Sequence, residues 1–403
     1  MTTLWQFQGN VFNGGTNGDG AGPVAPLIAQ APGGPYYGTT YHGGTQGLGS
    51  VYMIGPAPTY TESVIHSFGS GSDGAICYGG VIQDSAGNLY GTTGFGGAYN
   101  KGLVYELDYG TWTEHVLYTF TGGADGGGPE CCLVFGPDGQ LYGTTSGGGA
   151  GYGTVFALTP PSTGFYTYPW TETVLYTFTG GADGAFPFAG VIFAGNSLCG
   201  TAVLGGAPST TYPNGAGVVY QLQYNWTSAS WVETVLHTFT GGADGALPQA
   251  GLTLDANVST STMVYGAART GGVTSIGTTG QGVVFSVGTQ SPYAFTVLHT
   301  FLGAPKDGAD PTGTLVVAGN YLYGTTYEGR RKYGSLYKVK PAGAPPYGYL
   351  NFYAFTGTLD GGQPSAGLLF DGLTLYGTTR YGGAINEGSP SNPQGYGTFF
   401  RYP

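Results

Sequence analysis

One pentad, Leu141-Tyr142-Gly143-Thr144-Thr145, returns along the chain together with its flanks, and that recurrence constrains the fold more than any single residue does. Its tyrosine position is filled by Tyr37, Tyr90, Tyr142, Cys199, Tyr265, Tyr323 and Tyr376, at intervals of 53, 52, 57, 66, 58 and 53 residues. An Asp-Gly pair runs in step ahead of each pentad, at Asp19, Asp73, Asp125, Asp183, Asp244, Asp307 and Asp360. Three residues after the glycine comes a proline (Pro23, Pro129, Pro187, Pro248, Pro311, Pro364), or once Cys77. Two markers in phase seven times mean one supersecondary unit used seven times.

The unit around Cys199 resolves into four runs: Ala189 to Phe193, Asn196 to Ala202, Gly217 to Leu222 and Glu233 to Phe239. Each is short, rich in Val, Thr, Tyr and Phe, and bounded by Gly, Pro, Asn or Asp, which is the signature of a β-strand. Four strands (a, b, c and d) in some 50 residues, without a helix, make the blade of a β-propeller. The expectation is an all-β, seven-bladed propeller of four antiparallel strands per blade, formed as one domain over residues 1–403. The chain begins with a d-type run, Thr3 to Phe7, and ends with a c-type run, Gly397 to Tyr402. Residues 2–8 are therefore expected to complete the last blade as its outer strand and close the ring. With strand a at the axis, the d-to-a and b-to-c connections share one face, and the variable b-to-c loops are where recognition is expected.

The order DGxxPxxGL, GNLYGTT, GG, GYGTVFxL, LYxFxG resembles the Gly-rich tandem repeat of the Gloeobacter and Verrucomicrobia type, over nearly the whole chain. That resemblance implies a propeller-like repeat, often on secreted or surface-anchored chains, and supplies no catalytic residues to carry over. The units at Cys199-Gly200-Thr201-Ala202 and Tyr265-Gly266-Ala267-Ala268 depart most from it.

Composition narrows the function. With 21 Asp and Glu against 10 Lys and Arg, nucleic acid is not expected as the main partner, because phosphate binding needs a basic face. No run approaches a membrane span, and Met1 to Gly9 does not read as a secretory signal. An extracellular or cell-surface location is expected, with a cytosolic one open. Cys77, Cys131, Cys132 and Cys199 show no metal-ligand spacing and read as buried free thiols, although Cys77 could reach Cys131 or Cys132 across neighbouring repeats.

Few residues are left for chemistry. The seven Asp-Gly pairs read as tight turns near the axis rather than as a cation ring. Glu62, Glu114, Glu172 and Glu233 share one repeat position before strand d, and His66, His237 and His299 share a strand d position that is Tyr118 or Tyr176 elsewhere, so both sets read as scaffold. His42 is a lone loop histidine. No catalytic residue, metal site or cofactor is expected. Lys101, Arg269, Arg330, Arg331, Lys332 and Arg380 fall in b-to-c loops among tyrosines, and five of these six lie in the last three loops. Tyrosine can stack on sugar rings and arginine can clamp an acidic group. The expected function is a non-catalytic module binding a glycan or surface partner through Tyr327, Arg330, Arg331, Tyr333, Arg380 and Tyr381. A self-assembling subunit of a fibre, coat or virion is the alternative, and a propeller enzyme acting on polysaccharide a third.

Overall fold

The computed structural model describes residues 1–9, 18–69, 71–162, 168–254, 262–273, 280–329, 331–341, 347–383 and 395–403. Seven four-stranded antiparallel sheets follow one another around a ring, a β-propeller, and the described residues form no helix. Blade 1 runs Ile28–Ala29, Tyr36–Thr40, Ser50–Ile54 and Glu62–Ser67 for strands a to d, and blades 2 to 6 repeat that order. Blade 7 takes a, b and c from Leu369–Phe370, Leu375–Thr379 and Thr398–Tyr402, and its strand d from Thr2–Gln6. Thr2 pairs with Arg401 and Gln6 with Thr398, so the two ends of the chain close the ring as expected.

Each letter of the pentad has a job in this sheet. The middle glycine lies under the aromatic side chain of strand c: a Cβ on Gly143 would sit 2.6 Å from the Phe156 ring, and every pentad glycine meets a strand c Tyr or Phe in the same way. The first threonine hydroxyl crosses to the next blade, Thr39 to the Gly79 carbonyl at 2.9 Å, Thr92 to Cys131 at 2.8 Å, Thr144 to Ala189 at 3.0 Å. The second threonine meets the strand c hydroxyl of its own blade, as in Thr145 with Thr154 at 2.8 Å. Where Ala267 replaces the crossing threonine, Thr253 bonds the Leu315 carbonyl instead, at 2.6 Å.

The proline of each Asp-Gly motif docks on the preceding blade. Gly153, with φ +93°, has the Pro187 ring where a Cβ would project, 2.8 Å from Cδ, and five further seams repeat the contact. The residue before that proline, or before Cys77, is left-handed even when it is not glycine: φ is 63° at Ile76, 56° at Phe186, 58° at Leu247, 57° at Asp310 and 54° at Gln363. Such backbone costs about 1 kcal/mol per non-Gly residue, and two hydrogen bonds hold it. Its N–H bonds the loop of the previous blade (Phe186 to the Tyr152 carbonyl, 2.9 Å) and its carbonyl accepts from the residue after its own pentad (Val203, 3.3 Å).

The Asp-Gly carboxylates do not ring the axis. Asp125 accepts from Thr121 N at 2.7 Å and from the Tyr118 hydroxyl at 3.1 Å, and Asp183 and Asp360 repeat this with Thr179 and Tyr176 and with Thr356 and Tyr353. These donors belong to strand d or the residues just after it, so the aspartates cap the turn at the outer end of each seam. The turn was legible, but its place was not, because the connection from d to a is long enough to hold the motif at either end. The four cysteines are free; three are buried and Cys132 is partly so.

Candidate functional site

Two repeat positions meet at the axial mouth on the face of the b-to-c loops. One is the residue after each pentad: Tyr41, Gly94, Ser146, Val203, Arg269, Tyr327, Arg380. The other is the residue after each docking proline, or after Cys77, and it includes Tyr78, Glu130 and Phe188. Short backbone bridges between the d-to-a segment and the start of the b-to-c loop, such as Gly127 with Gly147 and Gly362 with Tyr381, fix both on one face. The segments that follow run into strand a so closely that a Cβ on Gly80 would lie 2.7 Å from the Pro26 carbonyl oxygen of the previous blade. Side chains just above this constriction therefore crown the channel.

An arc of polar side chains follows. The Tyr78 hydroxyl donates to the Tyr41 hydroxyl at 3.2 Å, with ring centroids 4.9 Å apart. The Arg380 guanidinium carbon lies 5.8 Å from the Tyr41 centroid and 5.4 Å from that of Tyr381, a cation over two aromatic faces. Arg269 makes a two-pronged ion pair to Asp310, both contacts 3.2 Å, between the loops of blades 5 and 6. Burial, and then the nearby Arg380 and Tyr381, set the Tyr327 hydroxyl, which is shifted upward. Burial pushes the Glu130 carboxyl up to about 7 despite a hydrogen bond from Ser146. Gly94 makes room for this part of the arc, since a Cβ there would meet Tyr78 at 3.3 Å and Glu130 at 3.4 Å. Burial, with Arg380 nearby, lowers the His42 imidazole, whose ring packs edge-on to Tyr41 at 4.1 Å.

The six side chains expected to bind are divided by the structure. Tyr327, Arg380 and Tyr381 stand together at the mouth. Arg331 and Tyr333 lie at the rim: Arg331 lines a groove with Pro305, Phe352, Tyr353 and Thr356, and the Tyr333 ring covers Gly357. Tyr152 and Tyr212 cover Gly180 and Gly241 in the same way. Arg330 lies outside the described residues. Of the other loop cations, Arg269 is paired with Asp310 and Lys101 lies over Gly122.

Tyr78, Glu130 and Ser146 were missed. Aligning the seven repeats would have found them: the columns after the pentad and after the proline vary freely between nearly constant neighbours, as expected of ligand-facing positions on a fixed scaffold. Chemically, the arc offers tyrosine hydroxyls and rings, one arginine with no carboxylate within 4 Å among the described residues, and a carboxyl that can donate or accept near neutral pH.

Comparison with solved structures finds proteins of similar fold. A protein from Bacteroides uniformis described as a candidate 6-phosphogluconolactonase superposes with a TM-score of 0.50 at 13% identity, over 82% of this chain and 86% of the other. A hypothetical selenium-binding protein from Sulfolobus tokodaii gives 0.50 at 10% identity, over 83% and 82%. At such identities the likeness is one of fold. No curated protein sequence matches the chain. The pattern of the Gloeobacter/Verrucomicrobia repeat matches residues 22–279, from the first docking proline into the fifth blade, and the same motifs continue to the C-terminal strand. The chain belongs to the Gloeobacter/Verrucomicrobia repeat family.

Proposed function

We propose that the protein is a binding module that takes an acidic carbohydrate at the axial mouth, with Arg380 on the acid group and Tyr41, Tyr78, Tyr327 and Tyr381 around the sugar. The observation that carries this reading is Arg380, held over two tyrosine rings with no carboxylate partner among the described residues. A guanidinium in that setting is available for a bidentate bond to a carboxylate or sulfate, and flanking tyrosines supply stacking faces and hydroxyls. Glu130, across the arc, can accept from sugar hydroxyls. The rim residues Arg331 and Tyr333 are outside this reading.

Calorimetric titration with uronic-acid-containing oligosaccharides, beside neutral ones of equal length, tests it. Binding selective for the acidic series and weakened by salt is expected. Arg380→Ala should reduce affinity at least tenfold, about 1.4 kcal/mol, and Arg331→Ala should leave it unchanged. Binding abolished by Arg331→Ala but not by Arg380→Ala would move the site to the rim, and no binding in either series would remove the carbohydrate reading.

A further inference from the structure

The outer end of every seam holds three repeat positions: a strand d side chain of one blade, the Asp of the Asp-Gly turn, and a strand d side chain of the next blade. In two seams these are Tyr118, Asp125, Glu172 and Tyr176, Asp183, Glu233, with each tyrosine hydroxyl 3.1 Å from its aspartate. In two others they are His237, Asp244, Phe295 and His299, Asp307, Tyr349. There Nε2 lies 3.1 and 3.0 Å from the carboxylate, and the next blade's ring stacks flat on the imidazole at 3.6 Å. Among the described residues, only the seam between blades 1 and 2 puts a histidine and a glutamate around one aspartate: His66, Asp73 and Glu114.

That seam differs in its bonding too. His66 Nε2 stands 3.5 Å from Asp73 Oδ1, and it is buried without a hydrogen-bond partner, unlike its counterparts His237 and His299. Glu114 Oε1 is likewise buried and unpartnered. The glutamates of the sister seams share such an oxygen but face a tyrosine or tryptophan in place of the imidazole. One donor atom from each of His66, Asp73 and Glu114 lies within 4.8 Å of the others. The Asp73 oxygens also accept from Gly69 N and Gly74 N at 2.6 and 2.7 Å, which fixes the carboxylate and leaves lone pairs toward the histidine. Phe68, edge-on at 4.7 Å, holds the imidazole plane.

We propose that the seam between blades 1 and 2 binds a divalent transition cation through His66 Nε2, an Asp73 oxygen and a Glu114 oxygen, with the remaining position open to water. One imidazole and two carboxylates suit Zn2+ or Co2+ rather than Ca2+, which prefers six or more oxygens. Bonds of about 2.1 Å require ligand atoms about 3.4 Å apart, so side-chain adjustment alone completes the site. The buried imidazole nitrogen and carboxylate oxygen, neither of them hydrogen-bonded, both gain a ligand bond from one ion. The ion joins blade 1 to blade 2 and acts as a clamp on that seam.

The ring supplies its own control variants. His66→Tyr rebuilds the Tyr118, Asp125, Glu172 seam, and Glu114→Phe rebuilds the His237, Asp244, Phe295 seam, so each removes a ligand by copying an arrangement that already folds in this chain. Chelator-stripped protein is titrated with ZnCl2 by calorimetry, and with CoCl2 by visible absorption, and its melting temperature is recorded with and without Zn2+. The wild type should take up one equivalent and melt a few degrees higher with the ion. Both variants, folded by circular dichroism, should bind at least tenfold more weakly and lose the rise. No saturable uptake by the wild type would overturn the proposal, as would unchanged uptake in both variants or Co2+ absorption typical of thiolate ligands.

Discussion

The strand c aromatic that lies over each pentad glycine is tyrosine in four blades (Tyr52, Tyr105, Tyr220, Tyr337) and phenylalanine in three (Phe156, Phe285, Phe400). The ring is what the site needs, because it fills the space left by the missing Cβ. The hydroxyl adds a polar atom to that space: Tyr220 is fully buried and its oxygen has no hydrogen-bond partner. Burying an unpaired hydroxyl costs about 1–3 kcal/mol. Tyr220→Phe should therefore stabilise the protein by about 1 kcal/mol, seen as a higher midpoint in denaturant at constant m-value; a lower midpoint would mean that the hydroxyl has a role the packing hides. At this scale the sequence was readable where a residue recurs. Gly, Thr, Pro and the aromatic could be assigned to a repeat because each contacts the same partner in nearly every blade. The sequence could not place Tyr333, since a tyrosine in a glycine-rich loop serves as ligand or lid alike; its ring lies over Gly357 and stays partly exposed.

Strand d carries an irregularity that alternation does not reveal. In all seven blades its pairing with strand c skips one residue: Leu4, Ile65, Leu117, Leu175, Leu236, Leu298 or Phe352. A bulge shifts the side-chain phase, and the residue after it is the Trp, His or Tyr beside the Asp-Gly carboxylate. The bulge thus explains why His237, one residue beyond buried Leu236, reaches Asp244. The existence, order and type of the strands were legible from the runs themselves, as was the borrowed strand Thr2–Gln6. Deleting residues 1–9 exposes the Thr398–Tyr402 edge and uncovers Tyr52, against which Phe7 packs at 5.0 Å. A melting temperature at least 10 °C lower, with early proteolysis inside blade 7, is the expected outcome. Appending residues 1–8 after Pro403 should restore most of the loss; a truncated protein that melts like the full chain would show that this strand does not hold the ring.

Taken around the whole ring, the outer seams make stability depend on pH. Burial first, and then the charge of the facing aspartate, raises Glu62 to about 8 and Glu172 and Glu233 to about 7, from an ordinary 4.5. A carboxyl whose folded pKa is raised contributes stability that is fully present below about 4.5 and is lost as pH rises through 7 to 8. Asp244, held low by hydrogen bonds from His237 and Thr240 although burial opposes them, has the opposite sign, and its share is lost only in strong acid. The ring should be more stable at pH 5 than at pH 9, by about 1 kcal/mol per such seam after solvent screening. Glu172→Gln should flatten the curve, and equal stability at the two pH values would refute the account. The candidate site was the least legible feature at this scale. Tyr41, Tyr78, Tyr327 and Arg380 are scattered from blade 1 to blade 7, and closure of the ring is what brings Arg380 beside Tyr41. The proline-on-glycine joint, by contrast, is the same at six of the seven seams and carries no address among them. Nothing in it tells one blade from the next, so the chain counts to seven by how many copies it was given. A gene that gained an eighth copy would specify a wider crown with the same joints, and the newcomer's residues after its pentad and after its proline would add a new wall to the mouth.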